Sequence, residues 1–413
     1  MDIVRINTAG SVDDGKSTLI GRFLNDSNAL TIEQEELIAR KTKEKGLDDL
    51  DFSVLTDGLI AEREQGITID VAHIYFSTAS RKFIIADSPG HIEYTRNMVT
   101  GASNSEVSVI LVDARKGLLE QTHRHYFISN LLRLETVIFC INKMDLVGYN
   151  EDVFIKIGAE INRLAAKFPY KPAVHILPIS SLKGDNVVKT SQNMHWYKGE
   201  TLSGILHSLG RVNSRTTGFR MDIQQVLHVQ NKEFTDYRAY TGRIISGALA
   251  VGDEVTVLPS MQKSEVAEIR KFTGTPTNAG AGESVQLRLK DDIDASRGMM
   301  LVKEHNSRLL LVEVKATVVW LNEKPASPSG KYILQAGTRR SLCRIQAIHA
   351  IIPPENPEAP LQAETLKLND IAKVEIKTAA PVFLDAFEDN RLNGAFILID
   401  TQSNNTVAVG FVE

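Results

Sequence analysis

The sequence predicts an α/β domain followed by two all-β barrel domains, and three observations carry that prediction. Up to about residue 210, short apolar runs alternate with segments of helical periodicity. After about residue 215, short alternating strands follow one another with turn residues between them. A second all-β stretch begins near residue 309 and runs to the end. The expected domains are 1–212, 213–305 and 306–413.

In the first domain, strands are expected at 3–8, 73–77, 82–87, 107–113, 136–142 and 175–180. Segments 121–132 and 153–168 carry apolar residues at helical spacing. Strands alternating with helices imply a largely parallel sheet covered on both faces. The first barrel should use strands at 220–229, 239–246, 254–258 and 284–289, punctuated by glycines. The second should use 311–320, 331–335, 344–352, 371–378 and 396–400. The proline-rich run 352–360 cannot sit inside a sheet, because proline lacks the ladder donor, and reads as an exposed loop.

Composition narrows the function classes. The chain has 413 residues, 43% hydrophobic and 24% charged, enough apolar mass for more than one core. A net charge of -4 argues against a large basic surface for nucleic acid. Two cysteines, Cys140 and Cys343, make neither a disulfide scaffold nor a metal cluster, and Cys140 lies in an apolar run that reads as a buried strand. The N-terminus has no signal-peptide layout, and no apolar stretch is long enough to cross a bilayer. A cytoplasmic location without membrane partners is the expectation.

The first functional motif follows the first strand. Gly10-Ser11-Val12-Asp13-Asp14-Gly15-Lys16-Ser17 lies between that strand and a helical segment opening at Thr18. This is the G-x-x-x-x-G-K-[ST] pattern in its strand–loop–helix context. Gly10 and Gly15 let the backbone turn so that several N–H groups face one anion. The helix start adds partial positive charge. Lys16 reaches the β- and γ-phosphates, and the Ser17 hydroxyl coordinates Mg²⁺.

Two further segments suit magnesium and the γ-phosphate. Asp87-Ser88-Pro89-Gly90-His91 follows the strand at 82–87. An aspartate at the C-terminal end of a parallel strand points into the ligand crevice, so Asp87 is a direct or outer-sphere carboxylate for Mg²⁺. Gly90 offers an unobstructed N–H to the γ-phosphate. Thr68, in Gly66-Ile-Thr-Ile69, is placed to give its hydroxyl to Mg²⁺ when its loop closes on the triphosphate.

Base recognition falls to Asn142-Lys143-Met144-Asp145 and Ser180-Ser181-Leu182-Lys183. An aspartate here accepts from guanine N1–H and the 2-amino group. Adenine offers neither, a mismatch that rejects a wrong ligand by roughly 10⁴-fold. Asn142 braces the loop, the Lys143 stem lies along the base, and a backbone N–H of 180–183 contacts guanine O6. The expected ligands are therefore GTP and Mg²⁺.

These motifs, in this order, resemble the translation-factor-like P-loop GTPases, which implies an elongation factor Tu-like layout. Segments 10–22, 57–71, 91–103, 113–117, 182–187 and 390–400 resemble more closely the large, GTPase subunit of the bacterial two-subunit sulfate adenylyltransferase. Ser88 and Ser181 depart from the usual threonine and alanine, and both changes are small. The resemblance implies a heterodimer with a smaller subunit that binds ATP and sulfate and makes adenylyl sulfate and pyrophosphate, while this chain hydrolyses GTP. It implies that His91 orients the attacking water. No arginine finger is identifiable, although Arg63 and Arg96 lie nearby in sequence. No adenylyl-sulfate kinase is expected after the barrels, since the chain ends at Glu413. Two alternatives stand beside this reading: an elongation factor-type GTPase, and a regulatory GTP switch without an enzyme partner. Arg339, Arg340 and Arg308 are too sparse to demand RNA, and His123, Arg124 and His125 read as surface residues of a helix.

Overall fold

The computed structural model describes residues 3–44, 46, 50–55, 72–78, 80–88, 95–210, 218–229, 237–303, 309–327 and 330–413. Contacts divide the chain into two compact units. One holds residues 1–212 and 354–358, the other residues 213–353 and 359–413.

The first unit is built on a six-stranded sheet. Its strands are β1 (Ile3–Ala9), β2 (Ala72–Ser77), β3 (Lys82–Asp87), β4 (Val107–Asp113), β5 (Thr136–Asn142) and β6 (Ala173–Pro178), in the order β2-β3-β1-β4-β5-β6. All neighbours are parallel except β2, which pairs antiparallel with β3 at the edge. β4 and β5 are buried at every position, which is why both read as strongly apolar runs, interrupted in β4 by Ser108. Cys140 lies in β5, and burial pushes its thiol well above the usual range. The helices are α1 (Lys16–Asp26), α2 (Ile32–Glu44), α3 (Thr95–Ser103), α4 (Glu120–Leu131), α5 (Glu151–Ala166) and α6 (Leu202–Ser208). In α5, Ile157, Ile161 and Leu164 form the buried stripe, and Asn150 caps the start by accepting the Asp152 N–H at 2.7 Å. α2 has no such stripe: only Ile38 and Thr42 are buried, so periodicity does not announce it.

One expectation is overturned in α4. His125 and Arg124 are buried and only His123 is partly exposed, so this is not a surface face. Most of the circumference of α4 is covered, with Tyr126 and Phe127 edge-on to Phe168. Burial holds the His125 imidazole neutral, lowering its pKa to about 3.

The second unit contains two antiparallel barrels. Its first sheet uses β7 (Arg220–Asp222), β8 (Gln225–Val229), β9 (Tyr237–Ser246), β11 (Glu254–Leu258), β12 (Gln262–Arg270), β14 (Ser284–Leu289) and β15 (Met300–Val302). The order β14-β12-β11-β15-β7-β9-β8 closes into a six-stranded ring through β14–β9, with β8 attached to β9. A short ribbon pairs β10 (Ala248–Ala250) with β13 (Asn278–Gly280). The second barrel is closed by β16 (Leu310–Trp320), β17 (Tyr332–Ala336), β18 (Arg339–Ile351), β19 (Ile371–Phe383), β20 (Ala395–Asp400) and β21 (Thr406–Val412). Closure removes the free edges that would otherwise template association. The run at 352–360 contains no strand and is largely exposed, although Pro354 is buried.

The two barrels meet through apolar and polar contacts. Leu258, Met300, Val302, Leu309 and Phe383 form one shared cluster. Arg220 and Asp385 pair at 3.5 Å, with Asn390 and Asn393 donating to the same carboxylate at 2.9 and 2.8 Å. The Asp222 carboxylate accepts the Thr338 N–H at 3.2 Å, and burial pushes its pKa up against that bond.

Candidate nucleotide site

The loop between β1 and α1 has the backbone its glycines require. Gly15 has φ +93°, and a Cβ there would lie 2.6 Å from the Asn142 side-chain nitrogen. Asp13 is left-handed as well, with φ 67°. The Ser11 N–H donates to Asp14 Oδ2 at 2.7 Å, which closes the loop on itself. The buried Lys16 ammonium donates to its own loop, at 2.8 Å to Gly10 O and 3.2 Å to Ser11 O. Burial lowers the Lys16 pKa, and the charges of Asp87, Asp14 and Asp13 oppose that. Burial raises the pKa of Asp14.

The strand ends of the sheet bring the other predicted residues to the same side. β1 and β3 run parallel in register, so Asp87 lies beside Thr8, whose hydroxyl donates to Asp87 Oδ1 at 2.8 Å. Ser88 donates to Asn7 Oδ1 at 2.5 Å, so the serine in place of threonine is fully engaged. Asp113 and Asn142 pair in register at the ends of β4 and β5.

Asn142 braces two loops at once. Its amide nitrogen donates to Asp14 O at 2.7 Å, and its Oδ1 accepts the Ser181 N–H at 2.9 Å. Thus one side chain ties the phosphate loop to the segment 180–183. Lys143, left-handed at φ 63°, adds a second tie. Its ammonium donates to Asp13 O and sits 3.1 Å from Asp113 Oδ2. The Met144 side chain belongs to the core, and its N–H donates to Ile179 O. Asp145 is part-exposed, and its carboxylate makes no hydrogen bond to a described residue. Ser180 is fully buried; its N–H donates to Asp185 O, and its hydroxyl accepts the Lys183 N–H at 3.2 Å.

Sequence reasoning missed Asp113. Burial alone would raise the pKa of its carboxyl, but Arg115 at 2.7 Å and Lys143 hold it far below the carboxylate range. The available signal was its place at the C-terminal end of a parallel strand. Thr68, Pro89, Gly90 and His91 lie outside the described residues, as does Arg63.

The groups present fit a nucleoside triphosphate. The Lys16 ammonium is buried against main-chain carbonyls, and the Ser11 hydroxyl, a possible donor, is buried without a hydrogen-bond partner among the described residues. Ser17 and Asp87 supply the hard oxygen donors that suit magnesium.

Residues 1–230 match the family described as "Elongation factor Tu GTP binding domain". Residues 313–413 match that described as "GTP-eEF1A C-terminal domain-like". "Sulfate adenylyltransferase subunit 1" of Aliivibrio fischeri (strain MJ11) is 43% identical over 100% of this chain and 86% of its own length. The protein of the same description from Shewanella woodyi is 43% identical over 100% of this chain and 87% of its own.

The chain belongs to the sulfate adenylyltransferase subunit 1 family. It is thus an enzyme subunit built on a translation-factor-like GTPase domain, as its motifs predict. "Bifunctional enzyme CysN/CysC" of Mycobacterium tuberculosis (strain ATCC 25618 / H37Rv) is 42% identical over 99% of this chain and 67% of that protein. A solved structure, "crystal structure analysis of sup35 complexed with GMPPNP", aligns over 100% of this chain and 93% of that one, at 23% identity and TM-score 0.44.

Proposed function

We propose that this chain hydrolyses GTP and couples that reaction to sulfate adenylation on a smaller partner subunit, as part of sulfate assimilation in the cytoplasm. The partner converts ATP and sulfate to adenylyl sulfate and pyrophosphate. This chain converts GTP and water to GDP and phosphate.

The observation that supports it most is the stitching of the phosphate loop to the base loops by Asn142. It builds one continuous site, with Lys16 under the phosphates and Asp145 at the base. That site suits guanine, so the ATP-consuming step needs a home on another subunit. The name "subunit 1" carried by the relatives agrees with a heterodimer.

The residue roles follow from chemistry. The N–H groups of 10–18, including those of Val12 and Thr18, cradle the phosphates, while Lys16 offsets charge on the β- and γ-oxygens. Ser17, Asp87 and Thr68 would hold Mg²⁺, which when bound would draw charge from the transferring phosphoryl group. Gly90 presents its N–H to the γ-phosphate, and His91 orients the attacking water. Loops around Thr68 and His91 contact the partner differently with and without the γ-phosphate, and that difference is the coupling.

The decisive experiment reconstitutes the chain with the small subunit and follows adenylyl sulfate with and without GTP. The proposal expects GTP to raise product and GDP to form alongside it. Product independent of GTP, or GTP turnover that answers to ribosomes and not to ATP and sulfate, would overturn it.

A further inference from the structure

Arg22 belongs to α1, and its partners lie far from it in sequence. The side chain is only 16% exposed. Its Nε donates to Ser181 O at 3.3 Å, and Nη2 donates to Leu182 O. Nη1 pairs with Asp26 Oδ1 at 3.5 Å. The guanidinium lies over the ring of Phe52, 4.7 Å from its centroid, and Phe52 is fully buried. The surroundings are fixed by two glycines. A Cβ on Gly21 would come within 2.4 Å of Phe52 Cβ. One on Gly184, which is left-handed, would lie 2.9 Å from Asp26 Oδ2 and 3.3 Å from Arg22 Cδ.

The carbonyls that Arg22 holds belong to the loop expected to meet guanine O6. In a trans peptide, C=O and N–H point in opposite directions. Fixing Ser181 O therefore turns the Leu182 N–H away from Arg22. Its neighbours are already committed: Ser181 N–H to Asn142, and Lys183 N–H to Ser180. The Leu182 N–H has no partner among the described residues.

We infer that Arg22 is a positioning residue for guanine recognition, holding the 180–183 loop so that its N–H meets the carbonyl at position 6 of the base. The inference rests on the reading of this site as a GTP site. An N–H donor accepts a 6-oxo purine and rejects a 6-amino one, because two donors would then face each other. Asp145 reads N1–H and the 2-amino group instead. The two contributions separate with three ligands: GTP, ITP, which lacks the 2-amino group, and ATP.

The experiment measures binding of all three to the full chain with Mg²⁺, by competition, for the parent, Arg22→Ala and Arg22→Lys. Arg22→Ala is expected to weaken GTP and ITP together by about tenfold, the loss of a charge-assisted hydrogen bond. ATP affinity should change little, so the GTP/ATP ratio narrows and the GTP/ITP ratio holds. KM for GTP should rise while kcat at saturation stays. Lys, a single point donor on a flexible stem, should restore part of the GTP/ATP ratio. A general packing defect near the phosphate loop would instead lower all three affinities alike, and that result overturns the inference. So does a parent-like GTP/ATP ratio in Arg22→Ala, or in Arg22→Lys if the alanine variant does not fold. A parent chain that fails to bind GTP would sink the site reading itself, whatever Arg22 does.

Discussion

Asp145 stands part-exposed at the end of the base-reading segment with no hydrogen bond among the described residues, free to take two from a base. Asp145→Asn replaces an acceptor pair by one acceptor and one donor, which matches xanthine better than guanine. GTP affinity should fall by at least about 100-fold and xanthosine triphosphate should gain, as read by competition binding; unchanged guanine preference would contradict the assignment. His125 predicts a pH dependence of stability. Its folded pKa, about 3, is below the unfolded value, so the unfolded chain binds more protons between those limits. The stabilisation is complete above about pH 6.5 and declines as pH falls toward 3. Within that window the slope is on the order of 1 kcal/mol per pH unit, and His125→Gln should flatten it in urea titrations at pH 7 and 5.5. Equal slopes for parent and variant would contradict it. That His125 is buried was not legible in the sequence. A polar triplet on a helix reads as solvated, and only packing on both sides of α4 reverses that. Arg22 was legible as part of a motif, but its partners lie 159 and 160 residues away, beyond any local pattern.

At the scale of elements, the site consists of loops fastened to one another across the strand ends. Asn142→Ala should leave Asp14 O and the Ser181 N–H unpaired in a buried place, at about 1–3 kcal/mol each. The expected outcome is a lower urea midpoint together with weaker GTP binding, because both loops lose their brace. Lost stability with parent-like GTP affinity would separate Asn142 from ligand binding. β4 and β5 were legible because strands buried on both faces are mostly apolar along their length, even with Ser108 inside β4. β12 was not. Its pairing with β14 shifts register between Val266 and Glu268, so the buried Val266 and Ile269 fall out of alternation. β21 hid for another reason: Gly410 interrupts it, and a Cβ there would lie 2.2 Å from the Phe396 ring. The loop between β1 and α1 was legible as a turn from strand to helix, because its glycines and flanking elements are local.

On the scale of the whole chain, two compact units each carry one tryptophan, Trp196 in the first and Trp320 in the second barrel. Asp385 ties the barrels together through Arg220, whose side chain is 6% exposed against 12% for Asp385. Removing one partner leaves the other charge buried and uncompensated, at a cost of about 3 kcal/mol. In a Trp196→Phe background, Trp320 fluorescence should therefore report an earlier denaturant transition for Asp385→Ala; an unmoved transition would show that the pair is not needed. The fold class was legible from the change of periodicity near residue 215. The shared barrel contacts were not, since they join residues 165 positions apart. The claim on which everything functional depends is that one guanine nucleotide is gripped by the β1–α1 loop and read at Asp145. Titration calorimetry of the magnesium-supplied chain tests it most directly. One GTP should bind per chain, with ATP bound orders of magnitude more weakly. No heat with GTP, or equal affinity for ATP, would contradict it.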